Sequence, residues 1–362
     1  MSISNGTTAD KMQRGLEIPS LDGIRAVSVA IVFFAHAGLE KIVPGGFGVT
    51  CFFFLSGFLI TTLLRRERER SGATNLKNFY MRRLIRIVPP MGITILVSIL
   101  LSMAGVFGEY WNWAGVFGNF AFMTNYMAPL GWTGPPGTGV LWSLAVEEHF
   151  YLLFPIVFAF GMVKLKPKQQ ALSLFIFCAV VLLWRIVQVS YLHALEPAAD
   201  DPRTYFTTDS RLDSIAFGCI LALWNNPVLD RSREVAPIHW RWAIVGALAI
   251  VGSFAYRSEA FRQSWRYSIQ GLALIPIFHA AISYHKSAWF SWLNWKSLRW
   301  IGLMSYAIYL FHIIAYAIVL AVFHTRSIPV KLALVIPLTL LYAFAMYAFV
   351  ERPLAKLRKR YN

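Results

Sequence analysis

Two ionisable residues interrupt the first apolar stretch of the chain, Arg25 and His36, with ten residues between them. Charged and titratable side chains are costly inside apolar segments, so they mark functional sites by default. On a helix this spacing separates the two side chains by roughly 16 Å along the axis. An imidazole can take a proton from an alcohol near neutral pH, and a guanidinium can bind an anionic donor. We therefore predict a catalytic centre with His36 as base and Arg25 as its cation. The alternative for His36 is a hydrogen bond to a neighbouring helix.

A second group of polar residues lies in the segment LWSLAVEEHFYLLFP, where Glu147, Glu148 and His149 are adjacent. Ser143, Glu147 and Tyr151 recur every four residues and therefore share one face of a helix. We predict that Glu147 orients or charge-stabilises the catalytic histidine, as the acid of a catalytic triad does. Ser143 and Tyr151 are candidate acceptor-binding residues.

The third group is basic, in the segment FYMRRLIRIVPP, which carries Arg82, Arg83 and Arg86. Arginine suits phosphate because its planar guanidinium can donate two parallel hydrogen bonds. We predict that these three residues bind the phosphates of a co-substrate. The alternative is an ordinary positively charged anchor before the next membrane span, with Pro89 and Pro90 at the start of that span.

Asp209, Arg211 and Asp213 open a later apolar segment, TDSRLDSIAFG. The two carboxylates share a helix face, and either can pair with Arg211. An acceptor-binding site and a structural ion pair both fit this pattern. His312 is a weaker candidate base than His36, and Arg185 needs a partner that the sequence does not identify.

Composition establishes the class of protein. The chain is 57% hydrophobic and 14% charged, against about 25% charged residues in a soluble domain. Its net charge of +16 comes from Lys and Arg in short loops between apolar stretches, which is typical of a membrane protein rather than of nucleic-acid binding.

The cysteines do not predict a metal or disulfide site. Cys51, Cys178 and Cys219 all lie in apolar segments, without the paired spacing of metal ligands. We interpret them as small buried hydrophobic residues, and we expect no metal.

Apolar stretches of about 20 residues predict an all-α polytopic membrane protein with about ten spans. The segment 111–127 is short and contains Asn112, Asn119 and Asn125, so we expect a re-entrant or interfacial hairpin. The ten spans are expected at 24–41, 45–64, 88–107, 140–162, 170–193, 209–225, 241–256, 267–284, 301–323 and 329–350.

The distribution of Lys and Arg favours cytoplasmic N- and C-termini. In this topology the acidic residues Glu196, Asp200 and Asp201 lie outside the cytoplasm. The expected organisation is a flexible cytoplasmic tail at 1–20, a membrane domain at 21–352 and a basic cytoplasmic tail at 353–362.

Together these segments resemble the bacterial acyltransferase 3 family of membrane O-acyltransferases. The resemblance rests on motifs that follow the family's order over nearly the whole chain. They are LDGIRAVSVAIVFFAH, GGFGVTCFFFLSGFLIT, FYMRRLIRIVPP, LWSLAVEEHFYLLFP, RLDSIAFG and SYAIYLFH. Two positions depart from the family pattern: Thr50 replaces an Asp, and His149 replaces a Gln.

The resemblance implies transfer of an acyl group, often acetyl, from cytoplasmic acyl-CoA to a hydroxyl of an extracytoplasmic carbohydrate or glycolipid. It implies Arg25 and His36 as the signature pair and Arg82, Arg83 and Arg86 as a basic motif. It places the protein in the bacterial inner membrane, with acyl-CoA as co-substrate rather than a bound cofactor. The oligomeric state is left open. Longer relatives carry an additional C-terminal esterase-like domain, which we do not expect here.

Three alternatives remain from the sequence. The acyl group could first be attached to Cys51 or Ser143 and then be transferred. The chain could instead be a secondary transporter of a polar metabolite or lipid-linked sugar, because intramembrane charges also mark transport pathways. A catalytically inactive scaffold for polysaccharide assembly is the third alternative.

Overall fold

The computed structural model describes residues 18–108, 110–192, 203–230, 238–325 and 327–361. Residues 1–17 of the predicted tail at 1–20 lie outside the described ranges. The acidic loop with Glu196, Asp200 and Asp201 lies outside them as well. All regular elements within the described ranges are helices. The predicted all-α class is therefore confirmed.

The first half of the chain forms α1 to α6, and two of these helices continue into a wider π-helical turn. In order they are α1 (Pro19–Phe34, continued by Ala35–Leu39), α2 (Gly45–Ser71), α3 (Leu76–Met103), α4 (Trp113–Phe120), α5 (Leu141–Ile156, continued by Val157–Gly161) and α6 (Pro167–Tyr191).

The second half contains α7 to α15. They are α7 (Arg203–Phe206), α8 (Thr208–Trp224), α9 (Arg241–Ala255), α10 (Glu259–Gln263), α11 (Trp265–Ser283), α12 (Lys296–Leu303), α13 (Ser305–Phe323), α14 (Ile328–Met346, continued by Tyr347–Glu351) and α15 (Arg352–Arg358).

Among the described residues, seven helical stretches are long and apolar enough to cross a membrane. They are Ser20–Leu39, Gly45–Ser71, Leu76–Met103, Thr138–Gly161, Pro167–Tyr191, Ser305–Phe323 and Ile328–Tyr361. The other three predicted spans correspond to α8, α9 and α11, which have 17, 15 and 19 residues and are not among the seven. The count of ten spans and the orientation of the termini stay predictions.

The segment 111–127 forms the eight-residue helix α4, followed by a 3₁₀ turn at Thr124–Tyr126. Eight residues extend only about 12 Å, so α4 cannot cross a bilayer core of about 30 Å. Asn112 caps α4 by accepting a hydrogen bond from the Gly115 backbone at 2.8 Å. The segment of the expected hairpin is therefore too short to cross, and its re-entrant or interfacial position stays a prediction.

Helix α2 crosses α8 at a pair of glycines, one on each helix. A Cβ on Gly57 would lie 2.0 Å from the Ile215 carbonyl oxygen, and one on Gly218 would lie 1.9 Å from the Phe54 carbonyl oxygen. Small residues at both contact points let two helix backbones approach closely within a membrane. This crossing holds α2 and α8 together at the centre of the larger apolar core.

Helix α3 begins at Leu76, before the expected span, so the basic motif is helical and Pro89 and Pro90 lie inside the helix. Their position at the start of the membrane span stays a prediction. The carbonyl of Ile87, just before the prolines, accepts a hydrogen bond from the Tyr306 hydroxyl at 2.9 Å. The carbonyls freed by the two missing proline amides lie four residues before each proline, so this bond joins α3 to α13 next to them.

Candidate functional site

A cavity of about 110 Å³, here called the central cavity, lies between α1, α2, α3, α5 and α13. Its polar lining includes Arg25, Ser56, Arg83, Arg86, Ser143, Glu147, Tyr151, Ser305, Tyr306 and Tyr309. Ser143, Glu147 and Tyr151 line it together, so the prediction that they share one helix face is confirmed.

The cations of the central cavity are held by specific contacts. Arg25 forms an ion pair with Asp22 at 2.8 Å, one helical turn earlier on α1. The Arg83 guanidinium lies 4.8 Å from the ring centre of Tyr151, in the geometry of a cation–π contact. The three arginines and the single Glu147 therefore give the cavity a positive balance suited to an anionic ligand.

A second cavity of about 290 Å³, here called the basic vestibule, adjoins the first. The two cavities share Arg25, Arg86, Ser305 and Tyr306 in their linings. The vestibule adds Arg352 and Arg358 from α15, together with Glu351 and Tyr347. The positive lining therefore continues from the central cavity to the C-terminal helix.

Arg82 does not belong to either cavity. Its guanidinium donates to the backbone carbonyl of Tyr361 and lies 3.5 Å from a Glu67 carboxylate oxygen. Of the three predicted phosphate-binding residues, Arg83 and Arg86 therefore lie together at a cavity. Arg82 instead contacts the C-terminal end of the chain.

The expected contact between Glu147 and His36 is absent. Glu147 instead accepts hydrogen bonds from Ser56 and Tyr151, each at 2.9 Å. Both carboxylate oxygens therefore have donors on α2 and α5, and support of the His36 ring by Glu147 is a wrong prediction. The catalytic role of Glu147 stays a prediction without that contact.

His36 lies on the π-helical turn after α1 and is exposed. Its Nδ1 lies 3.1 Å from Nε2 of His312, which is only 1% exposed. Neither histidine lines the central cavity, whereas Tyr309 lines it and contacts the His312 ring at 5.6 Å between centroids. Tyr309 therefore separates the arginine-lined cavity from the histidine pair.

Asp209 lies in a polar cluster where the hairpin meets α8. It accepts hydrogen bonds from Trp184 at 2.6 Å and from Tyr126 at 3.1 Å, and it pairs with Arg203 at 3.1 Å. Burial raises the pKa of the Tyr126 hydroxyl, and the adjacent Asp209 carboxylate raises it further. Tyr126 therefore stays protonated and acts as a donor in this cluster.

His149 joins the same cluster. Its Nδ1 lies 2.7 Å from the Thr208 hydroxyl, which also accepts a hydrogen bond from Asn125 at 2.9 Å. Its ring stacks on Tyr126 at 6.3 Å. The hairpin is thereby fixed against α5 and α8, next to the candidate acceptor residue Asp209.

The structure identifies a partner for Arg185, which is Asp213. Both side chains are fully buried, with 2.6 Å between Nη2 and Oδ2, and Ser268 donates to the same carboxylate oxygen at 2.8 Å. Asp213 therefore belongs to a structural ion pair, and its predicted acceptor role is wrong because it is not accessible.

The expected pairing of Arg211 with Asp209 or Asp213 is also wrong. Arg211 is fully buried, donates to Thr50 at 3.0 Å and stacks over the Tyr267 ring at 4.0 Å. An acceptor would have no access to its guanidinium in this arrangement.

The two candidate nucleophiles differ in position. Cys51 is buried and does not line the central cavity. Ser143 lines it, and its hydroxyl lies 2.6 Å from the Tyr309 hydroxyl. A covalent step at Cys51 therefore lacks access to a ligand in the central cavity.

Several lining residues carry no functional signal in the sequence. Tyr306 and Ser305 lie in an ordinary apolar segment, and Arg358 lies in the predicted basic tail. Asp22 had a usable signal, because it precedes Arg25 by three positions and such pairs meet on a helix.

Residues 18–350 match the acyltransferase domain that defines acyltransferase 3 proteins, which is most of the chain. The chain belongs to the acyltransferase 3 family. It is therefore a multi-pass membrane protein of that family, and the resemblance inferred from the motifs is confirmed.

The relatives of this acyltransferase 3 protein include the O-acetyltransferase OatA of Staphylococcus aureus strains NCTC 8325 and COL. Each is 31% identical over 376 residues, covering 96% of this chain and 58% of the relative. Another protein of strain COL is 28% identical over 384 residues, covering 98% of this chain and 60% of its own length. The chain thus spans about three fifths of these relatives. No solved structure matches it.

Proposed function

We propose that this protein is a membrane O-acetyltransferase that moves an acetyl group from cytoplasmic acetyl-CoA to a hydroxyl of an extracytoplasmic carbohydrate or glycolipid. The observation that carries the proposal is the arginine lining shared by two adjoining cavities, through Arg25 and Arg86. Family membership and the names of the OatA relatives support the reaction class.

The donor fits the two cavities in one orientation. Its phosphates lie in the basic vestibule, where Arg86, Arg352 and Arg358 can each donate charge-assisted hydrogen bonds. Its thioester end extends into the smaller and more apolar central cavity, towards Ser143 and Tyr309. Because an acetyl group is small, a cavity of about 110 Å³ suits it better than a long acyl chain.

His36 acts as the general base in this proposal. Its Nε2 takes the proton of the acceptor hydroxyl while the oxygen attacks the thioester carbonyl. The carbon–sulfur bond then breaks, and the thiolate of coenzyme A takes that proton from the imidazolium. Since Tyr309 separates the central cavity from the histidine pair, its side chain has to move before the acetyl group and His36 meet.

The acceptor approaches from the opposite end of the protein, near the cluster around Asp209. This cluster presents Tyr126, Trp184 and Arg203 together with a part-exposed carboxylate. Aromatic faces combined with charged hydrogen-bonding groups suit a carbohydrate. The proposed location of the protein is the bacterial inner membrane. In the predicted topology, the Asp209 side of the protein faces away from the cytoplasm.

The experiment uses the full chain in lipid nanodiscs, radiolabelled acetyl-CoA and n-octyl glucoside as a model acceptor. Release of coenzyme A and formation of acetylated glucoside are expected, and His36→Gln should abolish both. His324→Asn is the matched control, because His324 is an exposed histidine at the far end of α13 and lies outside both cavities. Uptake of a lipid-linked sugar into liposomes without any thioester cleavage would favour a transporter instead.

A further inference from the structure

The histidine pair is built from two helices that are far apart in sequence. His36 follows α1 on the π-helical turn, and His312 lies within α13. The His36 and His312 ring centres are 5.1 Å apart, with 3.1 Å between Nδ1 of His36 and Nε2 of His312. A separation of 3.1 Å is within hydrogen-bond range, so one of the two nitrogens carries the hydrogen and the other accepts it.

The backbone of α13 decides which nitrogen carries it. His312 Nδ1 lies 2.6 Å from the carbonyl oxygen of Tyr309. A carbonyl can only accept, so Nδ1 of His312 carries a hydrogen. A neutral His312 then has its lone pair on Nε2 and accepts from His36.

A doubly protonated His312 would reverse this direction, but its surroundings disfavour the cation. Its side chain is 1% exposed and contacts the rings of Phe33 and Tyr309. Its hydrogen-bond partners within the described residues are the Tyr309 carbonyl and His36, without a carboxylate. A buried charge without an opposite charge is strongly unfavourable.

The turn that carries His36 is held by the same face of α13. Tyr316, one turn beyond His312, donates to the Phe33 carbonyl at 2.9 Å. From α14, Lys331 lies 3.4 Å from the Ala37 carbonyl. The titratable groups near the pair are therefore Tyr309 and Tyr316 on α13, Lys331 on α14, and Glu40 just after the turn. Wide π-helical turns of this kind occur frequently at functional sites.

We infer that His312 is a positioning residue that holds His36 with a hydrogen on Nδ1 and a free lone pair on Nε2. Nε2, the ring nitrogen of His36 that does not face His312, is thereby the atom that accepts the proton of the acceptor hydroxyl. When it does so, the Nδ1 hydrogen of the imidazolium remains bonded to His312 Nε2, which stabilises the new charge. The inference rests on the proposed function for its catalytic consequence, but not for the tautomer.

The first measurement is the tautomer itself, by ¹⁵N NMR of the full chain in nanodiscs with labelled histidine. The chain has eight histidines, so a His36→Asn spectrum is subtracted to isolate the His36 signals. The expected result is a hydrogen on Nδ1 and none on Nε2. A His36 ring with its hydrogen on Nε2 would overturn the inference, whether or not the protein shows acetyltransferase activity.

The second measurement is kinetic, with acetyl-CoA and n-octyl glucoside. His312→Leu removes the hydrogen-bond acceptor of His36. It should lower kcat by about tenfold or more, which is part of the roughly 10²–10⁴-fold that a general base contributes, with little change in KM for acetyl-CoA. His312→Gln restores an acceptor oxygen and should recover most of the rate. In His312→Leu, the ¹⁵N signals of His36 should show both tautomers. The apparent pKa on the acid side of the pH profile of kcat should also change.

His279→Gln serves as the control, because His279 is an equally buried histidine on α11. It should leave the His36 signals and the pH profile unchanged. Equal kcat and pH profiles for His312→Leu and wild type would overturn the inference. A wild-type protein that shows the expected tautomer but no acetyltransferase activity would instead contradict the proposed function.

Discussion

Arg211 donates a hydrogen bond to Thr50 across 3.0 Å, and both side chains are fully buried. Its Nε and Nη1 have no hydrogen-bond partner within the described part of the chain. Thr50 stands where the family motif usually has an Asp. A carboxylate at this position would face the guanidinium directly, so the substitution leaves a buried cation with a neutral partner.

We expect Thr50→Asp to stabilise the protein. The guanidinium is already removed from water, so a carboxylate beside it adds attraction and a charge-assisted hydrogen bond worth about 1.5–3 kcal/mol. Thermal unfolding in nanodiscs measures the change. Thr50→Asn is the control of equal size without charge, and a Thr50→Asp protein that melts below Thr50→Asn would contradict the prediction.

Asp213→Asn should strongly destabilise the protein, because it leaves Arg185 buried without its counter-ion. Breaking a buried pair typically costs about 3–5 kcal/mol. Glu259→Gln is the matched control, since its pair with Arg262 is nearly half exposed on both sides and should be worth less than about 1 kcal/mol. Similar melting temperatures for the two variants would show that the Arg185 pair is not structural.

Arg86→Gln should raise the KM for acetyl-CoA by about tenfold, the equivalent of one charge-assisted hydrogen bond. Arg86 lines both the central cavity and the basic vestibule. Arg82→Gln is the control, because Arg82 contacts the Tyr361 carbonyl and Glu67 instead. Initial rates over a range of donor concentrations distinguish the two. An equal rise in KM for both variants would contradict the assignment of the donor to these cavities.

Tyr309→Ala should broaden the range of acyl donors. Its ring closes the central cavity on the side of the histidine pair, and its hydroxyl bonds to Val140 and Ser143. Removing the ring should raise turnover of butyryl-CoA relative to acetyl-CoA by about tenfold or more, since each added methylene is worth about 1–3 kcal/mol.

Tyr309→Phe tests whether the ring or the hydroxyl sets this limit. It keeps the ring and loses only the hydroxyl contacts, so the ratio of the two rates should stay near the wild-type value. An unchanged ratio in Tyr309→Ala would show that the cavity does not limit acyl length.

Local periodicity predicted much of this structure. The length of the apolar runs located the seven membrane-length helices, and the asparagines of 111–127 marked a segment too short to cross. The four-residue spacing of Ser143, Glu147 and Tyr151 placed them on one cavity wall. These are properties of a single helix or turn, which neighbouring residues determine.

The partners across helices could not be predicted in this way. Arg185 and Asp213 are 28 positions apart, and His36 and His312 are 276 apart. The sequence shows that each of these polar groups is costly to bury, but many different partners could satisfy its hydrogen bonds equally well. Only the packing of α6 on α8, or of α1 on α13, selects one partner. The expected partner of Glu147 is wrong for the same reason.

The position of Tyr309 has an electrical consequence. A membrane whose core contains both an open, arginine-lined cavity and an exposed imidazole would leak ions if water filled the space between them. The phenol ring, fixed to Ser143 and Val140, interrupts that path. An acetyl group is neutral. A ring that moves aside only for an acetyl group would let that group pass without a flow of ions, so the transmembrane voltage would be preserved.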